Sequence, residues 1–272
     1  MWRLAPLAVV ALCAPAKRTS LDVTTTQRQR DQAYRDYQRY CDAINQPILN
    51  VPQDLAQATQ AVTLKNLLSK TDIQRIHKAA QELTTHKQSN NQNSPTIDRS
   101  AWGQPKGTWL VTFLNSGGAF EKKLPELHQR IKSAALQVDR EYWNVTTGIK
   151  HVNYRVVEYH TMRSMLGGQP TGGGLHTRRH CDHGSLITVD IILTNPAEFE
   201  GGVLQTLEPG GELLNHEWEQ GDALVFLSHK FHCVSELTRG TRQVLVLELW
   251  QGSENLSPSR DESLRWLGEL RE

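Results

Sequence analysis

The feature that most limits the fold is a series of short β-type runs separated by Gly and Asn: Tyr154–Tyr159, Leu186–Leu193, Val203–Leu207, Ala223–Leu227 and Arg242–Trp250. Several short strands at such spacing favour an antiparallel sandwich or barrel. Trp109–Leu114 reads as an earlier strand. Pro125–Trp143 reads as a helix, because Leu127, Ile131, Ala135 and Val138 recur at spacings of 4, 4 and 3 and so share one face. With 272 residues, of which 38% are hydrophobic, the chain suits one large domain or two modest ones and can fill a core.

The part before Trp109 is different in character. Residues 17–101 are polar and Gln-rich, with two or three helices expected. Tyr34, Tyr37, Cys41 and Ile44 recur at helical spacing, and Thr71-Asp-Ile-Gln74 has the form of a capping box ahead of Ile73, Ile76, Ala80 and Leu83. Gln88–Pro105 carries turn formers and few apolar residues, which makes it a linker. Arg3, the 13-residue apolar run Leu4–Ala16 and Ala14-Pro15-Ala16 together have the pattern of a signal peptide at residues 1–16, and the run is shorter than the ~20 residues a spanning helix needs. The expected location is the secretory pathway, or the cytoplasm if that segment is not a signal. Two sequons, Asn144-Val-Thr146 and Asn255-Leu-Ser257, are compatible with secretory passage. Leu264, Leu267 and Leu270 suggest a helical tail over residues 253–272.

Charge is balanced, with 30 Lys+Arg against 29 Asp+Glu and a net charge of +1, so a nucleic-acid partner is not expected. Eleven His stand against four Cys, and eight of the His fall between His151 and His232. That imbalance points to imidazole chemistry and away from a disulfide scaffold. His180-Cys-Asp182 places His180 and Asp182 on one face of a strand, able to chelate one metal, with Cys181 on the other face. The spacing is common by chance, and His232 completes it: two His and one carboxylate on a β scaffold form the facial triad of non-haem Fe(II) sites, which leaves open positions for a chelating co-substrate and O2. Arg242, ten residues beyond His232 and after a turn at Thr238-Arg239-Gly240, offers a guanidinium fork for a carboxylate.

In these elements the chain resembles the prolyl 4-hydroxylase type of 2-oxoglutarate and Fe(II) dependent dioxygenase. The ordered match runs over about a third of the chain: Val156-Val-Glu-Tyr159, His180-x-Asp182, Ser185, Thr188, Leu193, Phe199-Glu-Gly-Gly202, Gly221-Asp222, Phe226, His232-x-Val234, Gly240-Thr-Arg242 and Trp250. The resemblance implies an α+β fold that is mainly β: a double-stranded β-helix, or jelly roll, with an N-terminal helical extension and flanking helices. It places the oxygenase domain at residues 102–252, with its core at 154–250. It implies His180, Asp182 and His232 on Fe(II), Arg242 on the distal carboxylate of 2-oxoglutarate, and Tyr159 and Thr188 as further co-substrate contacts. The implied reaction consumes O2 and 2-oxoglutarate, releases succinate and CO2, and oxidises a peptide, such as peptidyl proline, or a small molecule. Ascorbate dependence is implied only through the family.

Two other readings stay open. A metallo-β-lactamase-like zinc hydrolase also clusters His and Asp, but Arg178-Arg-His-Cys-Asp-His183 has Arg where its first His belongs. A catalytically inactive β-helix that serves as a binding module is the other. His183 points away from Asp182, and His176 and His229 fit loops better than ligation. Asp190 falls on the inward face, where the family carries an apolar or amide side chain, and a carboxylate there would repel 2-oxoglutarate unless paired. Ile192 stands where some relatives use Tyr. In the family barrel, the strands bearing Cys181 and Cys233 are neighbours, which leaves a cross-strand disulfide or two buried thiols. The Gly167–Gly174 loop is expected to overhang the site.

Overall fold

The computed structural model describes residues 59–85, 94–99, 106–164, 174–175 and 180–257. The signal peptide, the helices expected before residue 59, most of the Gly167–Gly174 loop and the tail helix past residue 257 lie outside them.

In chain order the described elements are β1 (Val62–Leu64), helix α1 (Lys70–Thr85), β2 (Thr96–Asp98), β3 (Trp109–Phe113), the short helix α2 (Ala119–Lys123), helix α3 (Pro125–Tyr142), β4 (Val152–Arg163) and β5 (Ile187–Ile192). There follow β6 (Phe199–Gly201), β7 (Leu204–Leu207), β8 (Leu213–Asn215), β9 (Ala223–Leu227), β10 (His232–Val234) and β11 (Leu237–Gln251). The larger sheet runs β1-β9-β5-β11-β4-β3-β2, with β6 on the outer half of β11, and the smaller runs β10-β7-β8. All the pairings are antiparallel. This is the double-stranded β-helix that the sequence implied.

Two cores follow from strand alternation. Val157 and Tyr159 of β4, Ile187, Val189 and Ile191 of β5, and Leu245, Leu247 and Leu249 of β11 pack under the helices. The opposite face looks toward the smaller sheet, where Trp109, Val111, Phe113, Met162, Leu224 and Phe226 meet Leu204 and Val234. Covered on both faces, β5 is buried at all six positions, hence its unbroken apolar run. Helix α3 opens with Pro125 and buries the predicted stripe of Leu127, Ile131, Ala135 and Val138. At its end Asn144 takes a left-handed φ of 63°. The buried Asp139 accepts hydrogen bonds there from the backbone N–H groups of Val145, at 2.8 Å, and Thr146, at 3.0 Å.

Four expectations are corrected. The capping box of α1 sits two residues earlier than Thr71 and Gln74: Asp72 N–H donates to Ser69 Oγ at 3.2 Å, and Ser69 N–H donates to Asp72 Oδ2 at 3.0 Å. The sheet and its core draw on residues before 102, outside the bounds expected for the oxygenase domain. β1 pairs with β9, and Ile73, Ile76, Ala79 and Ala80 of α1 join the core beneath the sheet. Gly221-Asp222 explains that attachment. Asp222 accepts from Lys65 Nζ at 2.7 Å and Asn66 N–H at 2.8 Å, and a Cβ on Gly221, whose φ is +91°, would lie 2.2 Å from Leu68 O. A three-residue edge strand carries no readable pattern of its own; its pairing holds it. Third, the chain does not turn at Thr238–Gly240. β11 is one strand of 15 residues that pairs with β6 early and with β4 and β5 later. Gly240, at φ +84°, lets β6 pass closely, since a Cβ there would meet Glu198 O at 2.3 Å. Fourth, the sequon residue Asn255 is buried, with its amide donating to Arg155 O at 3.1 Å, and so is not presented to a glycosylating enzyme in the folded chain.

Among the described residues, no helix is long and apolar enough to cross a membrane.

Candidate active site

The two sheets leave a cavity between their inner faces, and His180, Asp182 and His232 stand at one end of it. His232 begins β10, and its N–H donates to His180 O at 2.9 Å, which bridges the segment carrying His180 to the smaller sheet. Asp182 is held by its own N–H, which donates to Ser228 O at 2.8 Å. One ligand atom from each of the three lies within 4.8 Å of the others. The two rings meet edge to face with centroids 5.0 Å apart. His180 Nε2 is 3.3 Å from Asp182 Oδ1, and His232 Nε2 is 3.9 Å from Asp182 Oδ2. His232 Nδ1 lies 3.0 Å from Lys230 O, and a carbonyl can only accept, so Nδ1 carries the proton and Nε2 keeps its lone pair toward the cluster. Two imidazoles and a carboxylate so arranged fit a hexacoordinate Fe(II) with open positions.

Arg242 lies toward the far end, only 2% exposed. Its Nη1 reaches Met162 Sδ at 3.8 Å and Trp218 covers the guanidinium at 5.7 Å, while Nε and Nη2 have no hydrogen-bond partner. Burial pulls its pKa down to about 10, which leaves it charged at working pH. A buried cation with idle donors is costly unless an anion completes it, so a carboxylate ligand fits this end of the cavity.

The two remaining sequence candidates have other work. Tyr159 does not line the cavity. It faces the helices, where Gln243 Nε2 donates to its hydroxyl at 2.6 Å and His77 Nδ1 lies at 2.8 Å. Burial there raises its pKa to about 12. Its strand neighbours Glu158, His160 and Met162 face the cavity instead, because a shift of one residue changes the face. Thr188 is fully buried and donates its hydroxyl to Asp182 Oδ2 at 2.7 Å, which makes it a positioning residue for the carboxylate. Ser228 Oγ lies 2.9 Å from the same hydroxyl.

Sequence reasoning missed a second charged group in the cavity. Trp109 Nε1 donates to His160 Nδ1 at 3.1 Å, His160 Nε2 lies 2.7 Å from Glu158 Oε2, and Arg99 Nη2 is 3.8 Å from Glu158 Oε1. Burial lowers the pKa of His160 even though Glu158 opposes the shift. The signal was present as Glu158 and His160 at alternate positions in the buried stretch of the strand. Asp190, the predicted departure, does face the cavity. His183 and His229 meet edge to face with centroids 6.5 Å apart and are not in the cluster, and His183 is exposed, as expected of a non-ligand; His176 lies outside the described residues. Cys181 and Cys233 are buried thiols, not a disulfide: Cys181 Sγ sits 3.4 Å from His183 Nε2, and Cys233 Sγ donates to Gln205 Oε1 at 3.5 Å.

Two antiparallel sheets enclosing a His-Asp-His cluster define a double-stranded β-helix with a candidate metal centre. Solved structures share that fold. A Shewanella oneidensis protein assigned as an oxygenase superposes with a TM-score of 0.52 at 17% identity, over 90% of this chain and 97% of that one. AviO1 from Streptomyces viridochromogenes Tue57 gives 0.51 at 12%, over 80% and 98%. A Pseudomonas putida prolyl-4-hydroxylase gives 0.47 at 13%, over 79% and 100%. No protein-family model matches the chain, and no curated protein matches it in sequence.

Proposed function

We propose that the protein is an Fe(II) and 2-oxoglutarate dependent dioxygenase acting on a peptide side chain or a small molecule. The observation that carries this reading is the pairing, in one cavity, of a His180-Asp182-His232 cluster with the buried, half-satisfied guanidinium of Arg242. When bound, Fe(II) and 2-oxoglutarate supply the oxidising chemistry: one atom of O2 enters the substrate and the other ends in succinate as CO2 leaves.

The side chains have separable tasks. His180, Asp182 and His232 would hold the metal, with both imidazoles neutral and the carboxylate ionised, so acid weakens binding. Thr188 keeps one Asp182 oxygen from rotating. Arg242 would grip the distal carboxylate of the co-substrate, and Trp218 over its guanidinium shields that ion pair from water. Glu158, His160 and Arg99 form a polar wall along the same cavity.

The test is anaerobic titration with Fe(II) and then 2-oxoglutarate, followed by succinate measurement on adding O2. Wild type should bind both and release succinate. Arg242→Ala should lose roughly 30-fold or more in 2-oxoglutarate affinity, as expected for a buried charge-assisted bond of ~2 kcal/mol. Unchanged affinity in that variant would remove the assignment. Iron binding with no succinate for any substrate tried would favour a binding module, and zinc-dependent hydrolysis without 2-oxoglutarate would favour a hydrolase.

A further inference from the structure

Asp190 is the one inward carboxylate that the reading above does not use. It lies on β5 between the row of Thr188, which holds Asp182, and the Arg242 end. Its cross-strand neighbours are Val246 on β11 and Leu224 on β9, so the sheet offers its side chain no donor. It is 6% exposed, and its Oδ1 has no hydrogen-bond partner, as Nε and Nη2 of Arg242 have none. No ion pair joins Asp190 to Arg242 among the described residues.

The charges around it argue for its protonation state. Three carboxylates face this space, Asp182 from the loop before β5, Asp190 from β5 and Glu158 from β4, against two guanidinium groups, Arg99 and Arg242. The three imidazoles, His160, His180 and His232, complete the set. A divalent metal and the 2-oxoglutarate dianion cancel each other, so the loaded cavity holds one surplus negative charge unless one carboxylate is protonated. Asp182 must be ionised to ligate. Glu158 has His160 at 2.7 Å and Arg99 at 3.8 Å. Asp190 has no imidazole or guanidinium within ion-pair distance among the described residues, and feels Arg242 only at longer range.

We propose that Asp190 binds 2-oxoglutarate as a neutral carboxylic acid, donating its proton in a hydrogen bond to a carboxylate oxygen of the co-substrate. The assignment rests on the co-substrate reading of this cavity, and makes Asp190 a second binding residue beside Arg242. Burial, reinforced by the charge on Asp182 where no cation neutralises it, raises the Asp190 pKa to about 7, with Arg242 pulling the other way; burial, the larger cause, acts with or without the metal. The sign follows. Below that value the acid is already present and binding takes up no proton; above it, each co-substrate bound brings one proton, and affinity falls by about tenfold per pH unit.

The experiment is calorimetric titration of 2-oxoglutarate into the Mn(II)-loaded full chain at pH 6 and pH 8.5, in buffers of different ionisation enthalpy so that proton uptake is read directly. Wild type should take up no proton at the lower pH and close to one at the higher. Asp190→Asn, which keeps an N–H donor and the shape, should bind with little pH dependence and no uptake at pH 8.5, and circular dichroism should show it folded. Absence of uptake by wild type at pH 8.5, uptake that persists in Asp190→Asn, or loss of 2-oxoglutarate binding in the folded variant would each overturn the proposal. Binding of Mn(II) without 2-oxoglutarate binding by either protein at either pH would overturn the co-substrate reading itself, and this role with it.

Discussion

Thr188→Val tests whether the proposed metal site depends on a neighbour that is not one of its ligands. The substitution keeps the branched shape in a site with no exposure and removes the hydroxyl, together with its contacts to Asp182 and Ser228. That hydroxyl donates to Asp182 Oδ2 at 2.7 Å. Asp182 is itself only 3% exposed, so water cannot replace the lost donor. A hydrogen bond to a charged group contributes ~1.5–3 kcal/mol, and its loss leaves one carboxylate oxygen undirected. Changes in residues that orient ligands cost roughly 10- to 100-fold in metal affinity, equivalent to ~1.4–2.8 kcal/mol, so two independent expectations agree. Fe(II) or Mn(II) affinity would be measured by competition with a chelator, alongside urea unfolding of the metal-free protein. The variant should bind metal about 10- to 100-fold more weakly while unfolding as cooperatively as wild type. Thr188→Ser is the control, because it keeps the donor and loses a methyl; it should lose some stability to the cavity and retain metal affinity. A Val variant that binds metal like wild type, or a Ser variant as weak as Val, would refute the reasoning.

Tyr159→Phe should leave 2-oxoglutarate affinity unchanged and lower unfolding stability by ~1–2 kcal/mol in urea, since the hydroxyl serves His77 and Gln243 under the helices. A tenfold fall in co-substrate affinity would put Tyr159 back in the site. Asp139→Ala should cost ~3 kcal/mol in thermal or denaturant unfolding, because it orphans the N–H groups of Val145 and Thr146 at the end of α3. A loss under about 1 kcal/mol would mean that water satisfies them.

Much of the site was legible because its residues are coupled through short chain distances. His180 and Asp182 share a face by strand alternation, and Arg242 follows His232 at a fixed interval, so the sequence names the residues that meet at the two ends of the cavity. Tyr159 shows the limit of that legibility. The sequence shows a strand at Tyr154–Tyr159 but not which set of alternate residues faces the cavity. β4 is buried over most of its length on both sides, so apolar alternation carries no directional signal. Thr188 falls on the correct face, yet its partner is Asp182, and only coordinates show that the hydroxyl is within reach of the carboxylate.

The helical region was underrated for a related reason. The amphipathic stripe of α1 was readable, but the surface it covers is made by β5, β9 and β11, more than a hundred residues later. β1 is three residues long and owes its existence to Val225, Leu224 and Ala223 across the ladder.

The sequence by itself therefore showed a series of short antiparallel strands through local period, while its resemblance to the prolyl 4-hydroxylase type of oxygenase supplied the β-helix and the candidate His-Asp-His and Arg residues. Only the tertiary structure decided that Tyr159 turns to the helices, that Glu158 and His160 share the cavity, and that Asp190 lies there without a donor. Those outcomes depend on which face of a doubly covered strand meets which sheet, and that choice is made by the packing of segments far apart in the chain.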